Sequence, residues 1–320
     1  MIISMKNESA GRRIMVRRRC NRTVCVLIAL FALAILHTDA NALALKIATL
    51  SPDGTTWMKK MREGAKEIAD RTDDRVKFKF YPGGIMGNDE SVLRKIRIGQ
   101  LQGGAVVSGS LARIYPDIQI YTLPFLFRSY DEVDYVRERM DQQLVKGLAE
   151  NGFVTFGFAE GGFGYLMSQA PITTIEQLRS QRIWVQTGDT VTHIMFHAAD
   201  VSAISLPLSD VLTGLQTGLI NTIATSPIVA IALQWHTKIK YMVDTPLAYI
   251  YALLAVDQKA FSRIAEPDRA IVHQVMDRVF VAINRQNRLD SNGAINALNK
   301  QGIKFLYLEQ QQLEHWKSIA

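Results

Sequence analysis

Residues 178–227 (LRSQRIWVQTGDTVTHIMFHAADVSAISLPLSDVLTGLQTGLINTIATSP) constrain the fold more than any other stretch. Positions 182–186 (RIWVQ) alternate and are bulky, which is strand patterning. Gly188 and Asp189 mark a turn, and Thr190 can cap a helix over 191–198. A short apolar strand follows at 204–207. Leu208, Val211, Leu212 and Leu215 then recur at helical spacing over 208–217, and Gly218 suits that helix's end. Positions 219–224 form a last apolar strand. The β-α-β-α-β order implies a parallel sheet with helices on its faces. Ligands of such sheets sit beyond the carboxyl ends of the strands. Those ends carry residues 184–189, Thr225 and Ser226.

The remaining chain continues the alternation. Strands are expected at 46–50, 76–80, 103–107, 153–158, 249–256 and 303–306. Helices are expected from Thr55 or Thr56 to Ala69, over 88–97, over 131–149, over 229–239 and over 268–298, where Gly293 can interrupt. The glycine-rich run 159–163 (AEGGF) reads as a crossing between lobes. No repeat or low-complexity tract is present.

Charge narrows the function. Lys+Arg number 37 against 30 Asp+Glu, a formal net charge of +7. Seven of those bases and two of the acids lie in residues 1–44, so the remainder carries only +2. A nucleic-acid binder keeps its basic patch in the folded part. The front end has the form of a secretory signal: an arginine-rich start, an apolar run at 24–36, and a small-x-small site at 42–44, with 40–42 as a rival. Thirteen apolar residues fall short of the ~20 needed to span a bilayer. The 2 cysteines, Cys20 and Cys25, both lie in that leader. The mature chain therefore has no cysteine for disulfides or metals, and its size suffices for a large core.

The order and spacing of several motifs resemble solute-binding proteins of tripartite ATP-independent periplasmic (TRAP) transporters, the DctP-like family. They are RIWVQ, LPLSDVLTGLQTGLIN, the following SP, YPGGIMG at 81–87, LPFLF at 123–127 and GF at 162–163. The likeness spans nearly all the chain after residue 45. It implies an α/β periplasmic binding protein fold: two lobes, a ligand cleft between them and a long lobe-spanning helix. Lobe I is expected at 45–160, completed by about 249–290, and lobe II at 161–248, completed by about 291–320. It also implies a monomeric periplasmic receptor, without enzymatic chemistry or cofactor. Such a receptor passes an organic acid or aromatic solute to the small and large membrane subunits of a permease.

The chain departs from the family where the ligand is held. The family's K-I-R-V arginine, whose planar fork grips a carboxylate through two parallel bonds, is Trp184 here. The arginine of G-F-R is Gly164. A subgroup lacking the carboxylate-binding arginine is implied, with Trp184, Phe163, Trp235 and Trp57 as candidate aromatic walls. Each aromatic also fits core packing, and Trp184 is assigned to the site by its motif position. Gln186, Leu208, Thr225, Ser226 and Asp89 occupy places that match family pocket residues less closely. Asp89 equally suits a helix start. Asp189 sits at a strand's carboxyl end and can meet a ligand or cap the next helix. His193 and His197, four apart, have the spacing of zinc-binding helices, but Ile194 replaces the catalytic Glu. Two other functions remain open on the residues: a ligand-binding subunit of a membrane sensor, and a periplasmic metal-dependent hydrolase. No G-x-S-x-G elbow or phosphate loop occurs.

Overall fold

The computed structural model describes residues 43–320, and the expected leader lies almost wholly outside them. The first strand, β1 (Leu43–Thr49), alternates as its LALKIAT sequence requires: Leu45 and Ile47 are buried, Ala44 and Lys46 exposed. Helix α1 (Thr56–Arg71) starts at Thr55, whose hydroxyl accepts the Met58 N–H at 3.3 Å. It turns Met58, Met61, Gly64 and Ile68 inward. Then come β2 (Val76–Tyr81), α2 (Asp89–Arg97), β3 (Gly103–Val107), two 3-10 turns and α3 (Tyr130–Glu150). The expected strand at 153–158 divides in two. A short β4 (Phe153–Val154) is followed by the long β5 (Phe158–Ser168), which absorbs the glycine-rich run.

The central stretch forms as its spacing predicts: α4 (Ile175–Arg179), β6 (Ile183–Gln186), α5 (Thr190–Ala198), β7 (Ala203–Leu206), α6 (Val211–Thr217) and β8 (Thr222–Thr225). Gly218 closes α6 in the left-handed region, at φ 74°. The helix expected over 229–239 is broken. Helix α7 (Pro227–Ala232) stops before Gln234, which sits at φ 61°, and a separate 3-10 turn carries Trp235. The chain ends with β9 (Tyr241–Val243), β10 (Ala248–Asp257), α8 (Gln258–Phe261), α9 (Glu266–Lys300), β11 (Lys304–Leu306) and α10 (Gln310–Ile319). Gly293 does not interrupt α9.

The strand order is β2-β1-β3-β10-β5-β8-β6-β7. β1, β2 and β3 are parallel, β10 is antiparallel to both β3 and β5, and β6 runs parallel to β7 and β8. Strand β5 makes the crossing. Its first part pairs with β10, and Tyr165–Ser168 pairs with β8. The register shifts at Ile250/Tyr251, leaving Gly161 extra beside Gly162, whose φ of 85° suits only glycine. Helix α9 has 35 residues, about 52 Å of rise. Its first half packs Val272, Val275, Met276, Val279, Phe280 and Ile283 into one hydrophobic core, and Leu298 joins another with Trp184 and Trp235. One helix and two strands thus tie together the two lobes of an α/β binding protein fold.

Candidate functional site

A cavity of about 670 Å³ lies where the lobes, the crossing strands and α9 meet. Thr49–Pro52 and the first turn of α1, with Trp57, form one wall; Asp89 and Val107 join it from α2 and β3. Leu208 and α7 residues such as Ile228, Val229 and Leu233 form the opposite wall. The floor comes from the bulge, Glu160, Gly161 and Ile250, and the fourth side from α9 through Asn287, Asp290 and Ala294. The lining is mostly apolar, the usual character of a small-molecule site. Asp89, Glu160 and Asp290 are its charged members; no Lys, Arg or His lines it among the described residues.

The three acids differ in their commitments. Glu160 is 3% exposed and held by cations. Arg137 Nη1 donates to its Oε1 at 2.6 Å and Arg288 Nε to its Oε2 at 2.6 Å. Arg288 also reaches Asp134 at 2.8 Å, and Arg137 reaches Asp141 at 2.9 Å. Asn284 and Asn287 hydrogen-bond the backbone of Phe158 and Glu160, clamping α9 to the crossing strand. Asp290 accepts from Gln286 at 2.8 Å. Asp89 has no cationic partner among the described residues. It is 4% exposed, and its Oδ2 accepts the Val107 N–H at 3.1 Å and the Ser110 hydroxyl at 2.8 Å. Burial outweighs those two bonds and pushes its carboxyl up to about 6.

Of the expected site residues, the structure brings Asp89, Leu208 and Trp57 to this cavity. Trp57 is half-buried, edge-on to Phe280 at 5.7 Å. The expectation that Trp184 offers its indole face to the cleft is corrected. Its ring is buried in the lobe II core, 5.3 Å from Trp235 and tilted 72°, and its Nε1–H donates to Leu206 O at 2.9 Å. The cause is strand alternation beside Val211, Leu215 and Ile223, apolar neighbours that accept an indole where an arginine would go unpaired. Trp235 is its core partner, 1% exposed. Phe163 likewise packs in lobe I, against Tyr130 at 5.2 Å and Tyr249 at 5.5 Å. Thr225 and Ser226 are buried outside the lining, and Ser226 caps α7. Gln186 is half-buried outside the lining, with its Oε1 enclosed and unpartnered among the described residues. His193 and His197 both lie exposed on α5, not against the lobe. No group of three or more His, Cys, Asp or Glu among the described residues could hold a metal.

Asp189 caps α5, accepting from Thr192 N–H at 3.0 Å and its hydroxyl at 2.6 Å. It also accepts from Gln119 Nε2 at 2.7 Å. That contact bridges the turn after β3 and the strand-to-helix turn of lobe II, where Gly109 lies against Asp189. Sequence reasoning passed over Gln119, Glu160, Asn287 and Asp290. The helix expected over 229–239 pointed towards the α7 wall.

The chain thus combines a two-lobed α/β fold, crossing strands and a spanning helix with an apolar cavity walled by both lobes, the architecture of a solute-binding class. A family profile described as "Bacterial extracellular solute-binding protein, family 7" (DctP) matches residues 47–320. The chain belongs to that family, a family of binding proteins that work outside the cytoplasm. The uncharacterized protein YiiZ of Salmonella typhimurium is 25% identical over 49% of this chain and 48% of its own. The chain thus spans about half the length of that curated relative, and 49% of a solute-binding protein of Chromohalobacter salexigens. Among solved structures, a TRAP periplasmic solute-binding protein of Pseudomonas putida F1 with bound D-glucuronate superimposes at TM-score 0.80. It is 19% identical, covering 87% of this chain and 92% of that one. A TRAP periplasmic solute-binding protein of Desulfovibrio salexigens with bound orotic acid gives TM-score 0.78, 20% identity, and coverage of 87% and 89%.

Proposed function

We propose that this protein is the receptor of a TRAP-type importer. It captures a small organic solute in the interlobe cavity, closes, and passes the solute to the small and large membrane subunits of a permease. The observation that carries this is the cavity itself: about 670 Å³, mostly apolar, with walls drawn from both lobes and the strands between them. Ligand contacts to both walls stabilise the closed arrangement, which is all a receptor of this kind requires. No covalent step is needed, and the protein acts as a binder, not an enzyme. The division proposed is lobe I at 45–160 with 249–290 and lobe II at 161–248 with 291–320, with Phe163 at the crossing packing back onto lobe I.

The receptor works in the periplasm after removal of its leader. Strand β1 pairs with β2 from Leu43 onward. Cleavage after Ala44 removes two paired residues, Leu43 and Ala44, which cleavage after Ala42 keeps, and this favours the earlier site. Mass spectrometry of the exported protein distinguishes the two.

The test of receptor function is a thermal-shift screen of metabolites against the purified mature chain. A ligand at a hundred times its Kd adds about 2.7 kcal/mol to stability. A selective rise in Tm that is lost in Leu208→Trp, which pushes an indole into the cavity from its lobe II wall, supports the reading. A hit unaffected by that substitution contradicts it.

A further inference from the structure

The family's solved relatives hold acids, orotic acid and D-glucuronate among them. Nothing in the cavity of this chain is built to do so. An enclosed carboxylate needs a counterion or several donors. The cavity offers no Lys, Arg or His, and its charged members are Asp89, Glu160 and Asp290. The arginines nearest to it, Arg137 and Arg288, are spent on Glu160, Asp141 and Asp134. The first turn of α1 borders the same space, but Thr55 already caps it.

Asp89 points to the opposite chemistry. It is 4% exposed, yet among the described residues both of its hydrogen bonds fall on Oδ2, and Oδ1 receives none. Oδ1 is not among the enclosed unpartnered atoms, so it opens onto the cavity that Asp89 lines, where a ligand can donate to it. The same cavity is lined by Trp57, Val107 and Leu208, surfaces for an apolar body.

We propose that the solute is an organic cation: a protonated amine with an apolar body, its head group donating to Asp89 Oδ1 and its body lying against Trp57 and Leu208. This rests on the cavity being the ligand site. The ammonium supplies the missing donor and the missing positive charge together, and an indole beside it adds cation–π attraction. An anionic solute meets three acids and no base.

The experiment is thermal shift followed by calorimetry on the mature protein. The probes are amines, from cyclohexylamine and phenethylamine to choline, each matched with an acid and an alcohol of similar shape, such as 3-phenylpropionate and 2-phenylethanol. The expected result is that amines raise Tm and their matched acids do not. Asp89→Asn, folded by circular dichroism, is expected to weaken the amine about ten- to hundred-fold, the value of a charged hydrogen bond. Acids binding in preference to amines, or Asp89→Asn binding the amine as well as the parent does, would overturn the proposal and leave the receptor reading intact. No response to amines, acids, alcohols or sugars would overturn both.

Discussion

Replacing Asp89 with Asn isolates the strain that an empty, ionised carboxylate places on this fold. The amide oxygen can still accept from Val107 N–H and from the Ser110 hydroxyl, so the local geometry survives. What disappears is the charge. Burial raises the Asp89 pKa from 3.8 to about 6. The folded state therefore binds that proton more tightly than the unfolded chain does. The group's contribution is fully present below about 3.8, declines as pH rises, and is lost above about 6. A difference of that size corresponds to about 3 kcal/mol. The ligand-free Asn variant should thus exceed the parent by up to about 3 kcal/mol at pH 7.5, and the gap should shrink towards zero at pH 4. Urea unfolding with linear extrapolation at the two pH values measures it. A variant less stable than the parent at pH 7.5, or a gap that does not change with pH, would refute the reasoning.

Other substitutions probe the frame around the cavity. Glu160→Ala leaves two guanidiniums without their shared acceptor but each with one carboxylate, so it should cost about 3 kcal/mol, the low end for a broken buried pair; urea unfolding checks this, and a loss below about 1 kcal/mol would show the cluster is not what fastens α9 to β5. Gly293 lies inside α9, and a Cβ built there meets nothing within 4 Å. Gly293→Ala should therefore stabilise by about 0.5–1 kcal/mol in the same assay. Trp184→Phe should cost about 1–3 kcal/mol through the lost bond to Leu206 O while leaving ligand affinity unchanged in calorimetry.

Much of the fold was legible in the sequence because its elements obey strict periods. The β-α-β-α-β core, the helix start at Thr55 and the helix end at Gly218 all formed where local chemistry placed them. The crossing was half legible. The glycines at 161 and 162 signalled it, but their role as a bulge within one continuous strand depends on the register with β10, a long-range pairing. Helix α7 ended early because Gln234 takes a left-handed turn that no helix-breaking residue announces.

The site was the least legible part. Motif position carried Leu208 and Asp89 to the cavity but misplaced Trp184. The motif match located residue 184 on β6 but not the apolar neighbours its side chain meets there. An indole at the same place gains more by turning among Trp235, Val211 and Leu215. Glu160, Asn287 and Asp290 meet through a helix and a strand more than a hundred residues apart, and no local pattern marks such a meeting.

The central claim is that the solute occupies the cavity between Asp89, Trp57 and Leu208, away from Trp184. A crystal structure of the protein with its best-binding amine tests that directly. The account predicts an ammonium nitrogen within hydrogen-bond distance of Asp89 Oδ1 and the apolar body against Trp57 and Leu208. A ligand seated against Trp184 and Gln186, with only water beside Asp89, would contradict it.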